Sequence, residues 1–273
     1  MINPEIHQKL RQQYNPDGSK LRTIQMSLLD SLLELDRICK KEGIQYWLDA
    51  GTLLGAARHG GFIPWDDDLD VCVMKKDRKK LKEAMEKELS PSFEFEDINY
   101  KKYTASTCAR LRNNRVSVLR NVPNPQNPKE TIIKRNNVWL DIFYLVNGRP
   151  EISKKIDLLY GPCFRRVFRT MEDGKFKHFV SLCLFPFSLL LILLARIWGF
   201  LFQHKLLIYD YGCGFYAQRV KDDIFPLTEI EFEGHIFPAP NNYDNYLRRI
   251  YGDWNVIPDI KTSHNIIDIE ENK

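Results

Sequence analysis

No CxxC pair and no histidine at zinc-finger spacing occurs in this sequence. Its six cysteines (Cys39, Cys72, Cys108, Cys163, Cys183 and Cys213) are scattered over 273 residues, which excludes a thiolate zinc module and leaves reduced, mostly buried thiols as the expectation. An excess of one charge is missing as well. Against 40 Lys+Arg stand 36 Asp+Glu, a formal charge of +4, so the field of a dedicated nucleic-acid binder is absent and any phosphate must be met by a local site. Neither GxGxxG nor GxxxxGK[ST] occurs, which sets aside the dinucleotide and P-loop readings. The N-terminal MINPEIHQKLRQQYNPDGSK holds no apolar stretch of the kind a secretory signal needs, so a cytoplasmic location is expected. Internal repeats and low-complexity blocks are also lacking. What is present is 44% hydrophobic residues, enough for a sizeable core and incompatible with a wholly disordered chain.

Apolar residues at Leu21, Ile24, Leu28, Leu32, Leu35 and Ile38 predict a helix over 20–42 closed by Gly43. A strand at 44–48, a short helix from Gly51 to about His59, and a second strand at 69–74 follow, with Gly60-Gly61 as the break. Asp77 is placed to cap a further helix carrying Leu81, Ala84, Met85 and Leu89 on one side. The run KKDRKKLK, without interleaved aromatics, reads as a solvated face rather than a nucleic-acid contact. Short strands are expected at 93–98, 104–111, 131–135 and 138–143, separated by the loop NVPNPQNP at 121–128. Gly148-Arg149-Pro150 marks a boundary between a catalytic core at 20–148 and a C-terminal part at 149–264. The latter should hold helices to about 208, a hairpin over 229–237 turning at Glu233-Gly234, and a last helix over 242–251. The class is α+β, a mixed sheet with flanking helices plus a mainly helical C-terminal part.

From Phe179 to Ala195 runs FVSLCLFPFSLLLILLA, 17 residues without a charge, and IWGFLF follows Arg196. With Pro186 inside and Arg196 interrupting, the segment 179–203 fits a membrane span less well than a buried helical hairpin or a segment lying on a leaflet. Its flanks are basic, with Arg165, Arg166, Arg169, Lys175 and Lys177 before it and Lys205 after it, as contact with an anionic surface would want.

The most informative passage is YWLDAGTLLGAARHGGFIPWDDDLDVCVM, residues 46–74. Strand alternation puts Asp67, Leu69, Val71 and Val73 on one face and Asp68 with Asp70 on the other. Two carboxylates one pleat repeat apart can jointly ligate a hard divalent cation, Mg²⁺ or Mn²⁺. An EF-hand is excluded, because Val71 stands where its Gly is required and Asp77 where its Glu is. A third carboxylate is offered by VWLDIF at 138–143: Asp141 in so apolar a strand needs either the shared metal or a salt bridge to Arg110 or Arg112. Upstream, Asp49-Ala50-Gly51-Thr52 turns from strand to helix, where a glycine lets backbone approach a phosphate; Arg58 is placed to reach the same phosphate.

A glycine turn, a strand with two aspartates one residue apart and a third Asp on a later strand resemble the nucleotidyltransferase fold of the polymerase-beta type. More closely, YWLDAGTLLGAARHGGFIPWDDDLDV resembles the signature of the LicD/fukutin family, and YGDWNVIP at 251–258 is similar to that family's closing motif. The likeness implies a phosphotransferase that moves a phospho-alcohol, such as phosphocholine or ribitol phosphate, from a CDP-activated donor to a glycan hydroxyl in cell-surface polysaccharide or lipopolysaccharide biosynthesis, releasing CMP. By position, Gly51 and Thr52 match the glycine turn that would meet the donor phosphates, Asp68 and Asp70 the metal pair, and Asp141 the third carboxylate. These three aspartates are the expected catalytic set, with Arg58, Arg110 and Arg112 as candidates to offset phosphate charge. Ala50 stands where a second Gly is usual, and the histidine-rich end is reduced to His264. A choline substrate would want aromatic faces, and Trp47, Trp65 and Trp139 lie near the motif, although core packing is their ordinary role. The family likeness further implies a lipid-linked acceptor at the inner face of a membrane, reached through 179–203. Two rival readings use the same residues: transfer of NMP to a small molecule or protein, and a non-catalytic, membrane-associated scaffold that binds a cation.

Overall fold

The computed structural model of the chain describes residues 4–97, 108–124, 130–168, 174–203, 205–257 and 266–272. A first helix, α1 (Pro4–Tyr14), precedes α2 (Lys20–Glu42), whose start is set by Ser19: its side chain accepts the Arg22 amide at 3.2 Å. Gly43 closes α2, as the sequence predicts. The residues Leu28, Leu32, Leu35 and Ile38, spaced by three and four, are all fully buried. Next come β1 (Tyr46–Leu48), α3 (Ala50–His59), β2 (Asp70–Met74) and α4 (Arg78–Glu88), each close to its expected place.

Two details differ there. Asp77 makes no side-chain capping bond, because a 3-10 turn over Lys75–Asp77 leads into α4 and holds Asp77 in helical rather than extended backbone. Lys75 is not part of a solvated face: its ammonium lies 2.6 Å from the Asp210 carboxylate and over the Tyr144 ring.

After β3 (Phe93–Glu96) the chain forms two long strands, β4 (Ala109–Pro123) and β5 (Thr131–Asn147), paired antiparallel along most of their length. The separate strands expected at 131–135 and 138–143 are therefore one. Strand β4 continues through RNNRVSVLRNVP, a stretch in which no strand was expected beyond 111. The reason is a register shift between Asn113 and Ser117, which interrupts the period-2 alternation from which a strand is read. Asn113 is fully buried in that irregularity and satisfied, its amide donating to the Ser27 carbonyl and its oxygen accepting from the Arg115 amide. The expected loop starts later than 121, since Asn121–Pro123 still pair with Thr131–Ile133. Its residues 125–128, like 104–107 of the expected strand and His264, lie outside the described residues.

The chain continues through α5 (Pro150–Phe168), α6 (Lys175–Phe202), β6 (Leu206–Tyr209), β7 (Arg219–Val220), α7 (Lys221–Ile224), β8 (Thr228–Phe232), β9 (His235–Ala239), α8 (Tyr243–Tyr251) and β10 (Ile266–Glu271). Helix does not extend to 208: α6 ends at Phe202, and the apolar run LLIY, with β-branched Ile208 and aromatic Tyr209, becomes β6. The hairpin of β8 and β9 turns at Glu233 and Gly234, both with positive φ, and α8 is capped by Asn242, as expected.

The main sheet runs β1-β2-β5-β4-β10, with β3 also on β4 and β6 on β5. Among the described residues only β2 and β5 pair in parallel and the other pairs are antiparallel, so the sheet is mixed and flanked by helices, the α+β class read from the sequence. Helix α5 starts at Pro150, and from beyond it β6 and β10 return to the sheet. Leu28, Leu32 and Leu35 of α2 belong to one core cluster with Val71, Val73, Leu111, Leu140 and Ile142.

Helices α5 and α6 form a hairpin, but the apolar segment within it is not buried. In α6, 28 residues long, the most apolar 18-residue window has a mean hydropathy of 2.3 and is only 22% buried. Ser181, Ser188, Ile192, Ala195 and Gly199 form the narrow buried seam, while Phe187, Leu193, Leu194 and Phe200 are exposed. Gly199 is required by close approach, since a side chain there would run into the Asn147 carbonyl of β5.

Candidate active site

The parallel register of β2 on β5 sets Asp70 directly opposite Asp141, and the Asp141 amide donates to the Leu69 carbonyl at 2.9 Å. The two carboxylates that the sequence placed on separate strands are thus cross-strand neighbours. Asp67 and Leu69 are buried and Asp68 is exposed, in keeping with the alternation. Among the described residues, Asp66, Asp67 and Asp68 form the group whose ligand atoms all lie within 4.8 Å of one another. Asp67 within it is paired to Arg120 of β4 at 2.6 Å. Burial, and then the charges of Asp68, Asp141, Asp49 and Asp66, push the Asp70 carboxyl well above the usual carboxylate range. Acidic groups converge here from the 66–68 turn, β1's end, β2 and β5.

Asp141 has the salt bridge that was the alternative to a metal. Its carboxylate accepts from Arg110 Nε at 2.9 Å, Trp139 Nε1 at 3.2 Å and Cys108 Sγ at 3.3 Å. Arg110 also lies over the Trp139 ring, as does Arg112, which is held at 2.6 Å by Glu96. The Trp139 face is therefore covered by cations. Trp47 is fully buried against Phe225, in the core role expected of it, whereas Trp65 is half-buried beside Tyr14 and His59.

The turn before α3 latches onto the start of β2. Thr52 Oγ1 accepts the Asp70 amide at 2.8 Å, and the Asp49 amide donates to the Asp70 carbonyl at 3.1 Å. Gly51 has no room for a side chain, since a Cβ would sit 2.9 Å from Asp66 Oδ2. The left-handed backbone falls instead on Ala50, with φ +43°. This conformation costs an L-residue about 1–2 kcal/mol, so Ala50→Gly is expected to stabilise the protein by about 1 kcal/mol net of the added chain entropy, read as a higher melting temperature.

Arg58 is buried, not at the surface. Its Nη1 donates to the carbonyls of Trp254 (3.0 Å) and Val256 (3.3 Å), and its Nε to His59 Nε2 (3.0 Å). It ties α3 to the YGDWNV segment at 251–256. Tyr251 of that segment, 43% exposed as a whole residue, has its hydroxyl pushed up by desolvation and by the charges of Asp49, Asp70 and Asp66. Burial, with Arg58 and His7 alongside, drives His59 from 6.5 down to about 3. The unfolded chain takes a proton that the folded protein refuses in this window. Stability should therefore fall as the pH drops from about 6.5 towards 3, by about 1.4 kcal/mol per pH unit. Urea midpoints at pH 7 and 4.5 would register the loss, and His59→Gln should reduce it.

The sequence reading assigned no role to Asp49. It is fully buried at the end of β1 and accepts from Arg219 Nη2 (2.9 Å), Tyr246 Oη (2.6 Å), Cys72 Sγ (2.8 Å) and Tyr209 Oη. Burial alone would raise its carboxyl, but Arg219 and these hydrogen bonds outweigh it and hold the group below the usual range. Asp49 lies within the quoted motif and was legible as polar in an apolar setting. Arg219 carried no such signal.

Residues 43–146 match the family described as LicD/FKTN/FKRP, nucleotidyltransferase domain. The chain is similar to the lipopolysaccharide cholinephosphotransferase LicD of Haemophilus influenzae, being 27% identical over 260 residues that cover 87% of this chain and 92% of that protein. It is similar to the ribitol 5-phosphate transferase FKRP of Homo sapiens over a shorter stretch, 50% identical over 40 residues, which is 15% of this chain and 8% of that one. An uncharacterized protein of Rickettsia prowazekii is 37% identical over 75 residues, 28% of this chain and 26% of its own length. The resemblance read from residues 46–74 is borne out.

Proposed function

On the premise that residues 43–146 are a LicD-family nucleotidyltransferase domain, we propose that this chain is a phosphotransferase that moves a phosphocholine-like group from a CDP-activated donor to a glycan hydroxyl in lipopolysaccharide or related cell-surface glycan synthesis. One observation carries the reading: Asp70 faces Asp141 across the parallel strand pair, beside Asp66–Asp68, in a group of carboxylates that repel one another. An all-oxygen acidic set of this kind suits a hard divalent cation, and Asp68, Asp70 and Asp141 would hold it. Mg²⁺ or Mn²⁺ bound there would neutralise the donor diphosphate and lower the pKa of the acceptor hydroxyl.

In the reaction, the acceptor oxygen forms a bond to the phosphorus bearing the alcohol. The bond from that phosphorus to the bridging oxygen breaks, CMP leaves, and the hydroxyl proton passes to a base or to solvent. The protein's own contribution is placement. Thr52 and Asp49 fix the backbone of Asp70, Gly51 leaves space at Asp66, and Arg58 holds the 251–256 segment against α3. Arg110, on Asp141, is a cation at the edge of the cluster that can offset phosphate charge. A quaternary ammonium would want an aromatic face, and Trp65, half-buried and next to Asp66 in the chain, is an aromatic residue beside the cluster. The acceptor in this reading is lipid-linked, and the protein works in the cytoplasm at the inner face of a membrane.

Incubation with CDP-choline, CDP-ethanolamine or CDP-ribitol and a glycan acceptor, with Mg²⁺, should release CMP from one donor. Asp68→Ala should abolish that release with an unchanged circular dichroism spectrum. Pyrophosphate release from a nucleoside triphosphate, without CMP from any CDP-alcohol, would identify NMP transfer instead.

A further inference from the structure

At the end of the sheet opposite the acidic cluster, the chain makes a second, cationic site. A cavity of about 520 Å³ opens where β2 and β5 end, lined by Lys75, Lys76, Arg196 and Lys221 and walled by Phe200 and Phe225, with no carboxylate in its lining. Buried behind it, Asp210 accepts from both Lys75 (2.6 Å) and Arg196 (2.7 Å), so one carboxylate answers two cations. Lys76 and Lys221 have no carboxylate partner among the described residues. The cavity therefore concentrates uncompensated positive charge next to apolar walls, which fits a phosphate-bearing amphiphile better than a free sugar or a peptide.

What adjoins the cavity points the same way. Arg196 and Phe200 belong to α6, and Leu193, Ile197 and Phe200 follow one another at helical spacing on an exposed stripe, at 52%, 49% and 75% exposure. Exposed Lys175 and Lys177 stand at the other end of α6, about 32 and about 29 Å from Arg196 at 1.5 Å per residue. Cations thus flank the apolar stripe at both ends, as contact with an anionic surface would want. A span is incompatible with the docking of Gly199 on the Asn147 carbonyl, because crossing the bilayer would draw the end of β5 and its polar backbone into hydrocarbon.

We propose that the exposed stripe of α6 beds into the surface of an anionic bilayer and that the Lys75/Lys76/Arg196/Lys221 cavity binds the phosphate of a lipid headgroup. The cytoplasmic active site is thereby set at a fixed height over the membrane. This holds whichever alcohol the enzyme transfers.

Flotation of the full chain with vesicles tests it, without any CDP-alcohol, so that its failure is separate from failure of the transferase reading. Vesicles of phosphatidylcholine with about a third phosphatidylglycerol should bind the protein at least about tenfold more tightly than phosphatidylcholine alone. Lys76→Glu/Lys221→Glu should remove that preference while leaving weak binding to both. Leu193→Glu/Ile197→Glu should abolish binding to both. CMP release with a water-soluble acceptor should be unchanged in each variant. Equal recovery with neutral and anionic vesicles overturns the headgroup site. A chain that stays in the soluble fraction, or that forms a concentration-dependent dimer by light scattering in place of binding vesicles, overturns the membrane docking.

Discussion

Asp70→Asn should yield a protein that melts higher than the wild type in chelator and has lost transfer activity. The two effects have one cause. Asp70 is half-buried among Asp68, Asp141, Asp49 and Asp66, and its carboxyl is raised by desolvation and their charges, so its charge opposes folding unless something positive is shared with it. The sign follows: a carboxyl raised in the folded state withdraws stability as the pH climbs above its unfolded value near 3.8. Asparagine keeps the shape and removes the charge. A gain on the order of 1 kcal/mol, roughly 2–4 °C, is expected at pH 7. The same charge is what a divalent cation would bind, so Mg²⁺ is expected to raise the melting temperature of the wild type and not that of the variant. Transfer should fall by roughly 10³-fold or more, as when a group central to charge stabilisation is lost. Melting curves with Mg²⁺ and with chelator, beside a CMP assay, would decide. A variant that melts lower, keeps its Mg²⁺ response or turns over normally would remove Asp70 from the site.

The second large effect is structural. Arg219→Leu should destabilise the fold by about 3–5 kcal/mol, because it strands the fully buried Asp49 carboxylate without its cation. Against the 5–15 kcal/mol typical of a whole domain, that is enough to leave much of the chain unfolded at body temperature. Arg219 also lies over the Tyr209 ring at 3.8 Å and donates to Tyr246 Oη at 2.6 Å, so packing is lost along with charge. Asp49→Leu alone should be comparably costly, leaving a buried guanidinium. The double replacement should cost clearly less than the sum, since neither charge is then left alone. Urea denaturation of the four proteins measures the coupling, and additive single effects would show that the pair is not a coupled unit.

The comparison of sequence with structure divides along physical lines. Helix α2, the β1–α3–β2 unit, the β8–β9 hairpin and α8 were legible because local signals agree with tertiary packing: a serine cap, a 3.6-residue apolar repeat, a Glu-Gly turn, an asparagine cap. Strand β4 was not, because its bulge between Asn113 and Ser117 scrambles the alternation and its charged residues are satisfied only by partners far away, Glu96 for Arg112 and Asp67 for Arg120. Of the two readings of 179–203, a buried hairpin and a segment lying on a leaflet, the buried hairpin is not what the structure has: the segment runs in one helix, α6, and its apolar window is only 22% buried. In the site, Asp70 and Asp141 were recognisable by being charged in apolar strands; their register was not, since a parallel pairing depends on the long connection between β2 and β5. Asp49 illustrates the remaining gap. Its meaning lies in residues at 209, 219 and 246, and no local pattern announces partners so distant.

That distance has a consequence for how the protein is born. During synthesis Asp49 emerges 170 residues before Arg219 and 197 before Tyr246. At about 5–20 residues per second, the nascent chain carries an unanswered carboxylate in its core motif for roughly 10–40 s. Throughout that interval β1 and the α3 turn cannot settle at low cost, so the acidic cluster they position cannot mature. By the time Arg219 arrives, α6 has been made and has met whatever surface it is going to meet. The order of residues along the chain thus makes completion of the candidate site one of the last events of folding, after the apolar helix already exists.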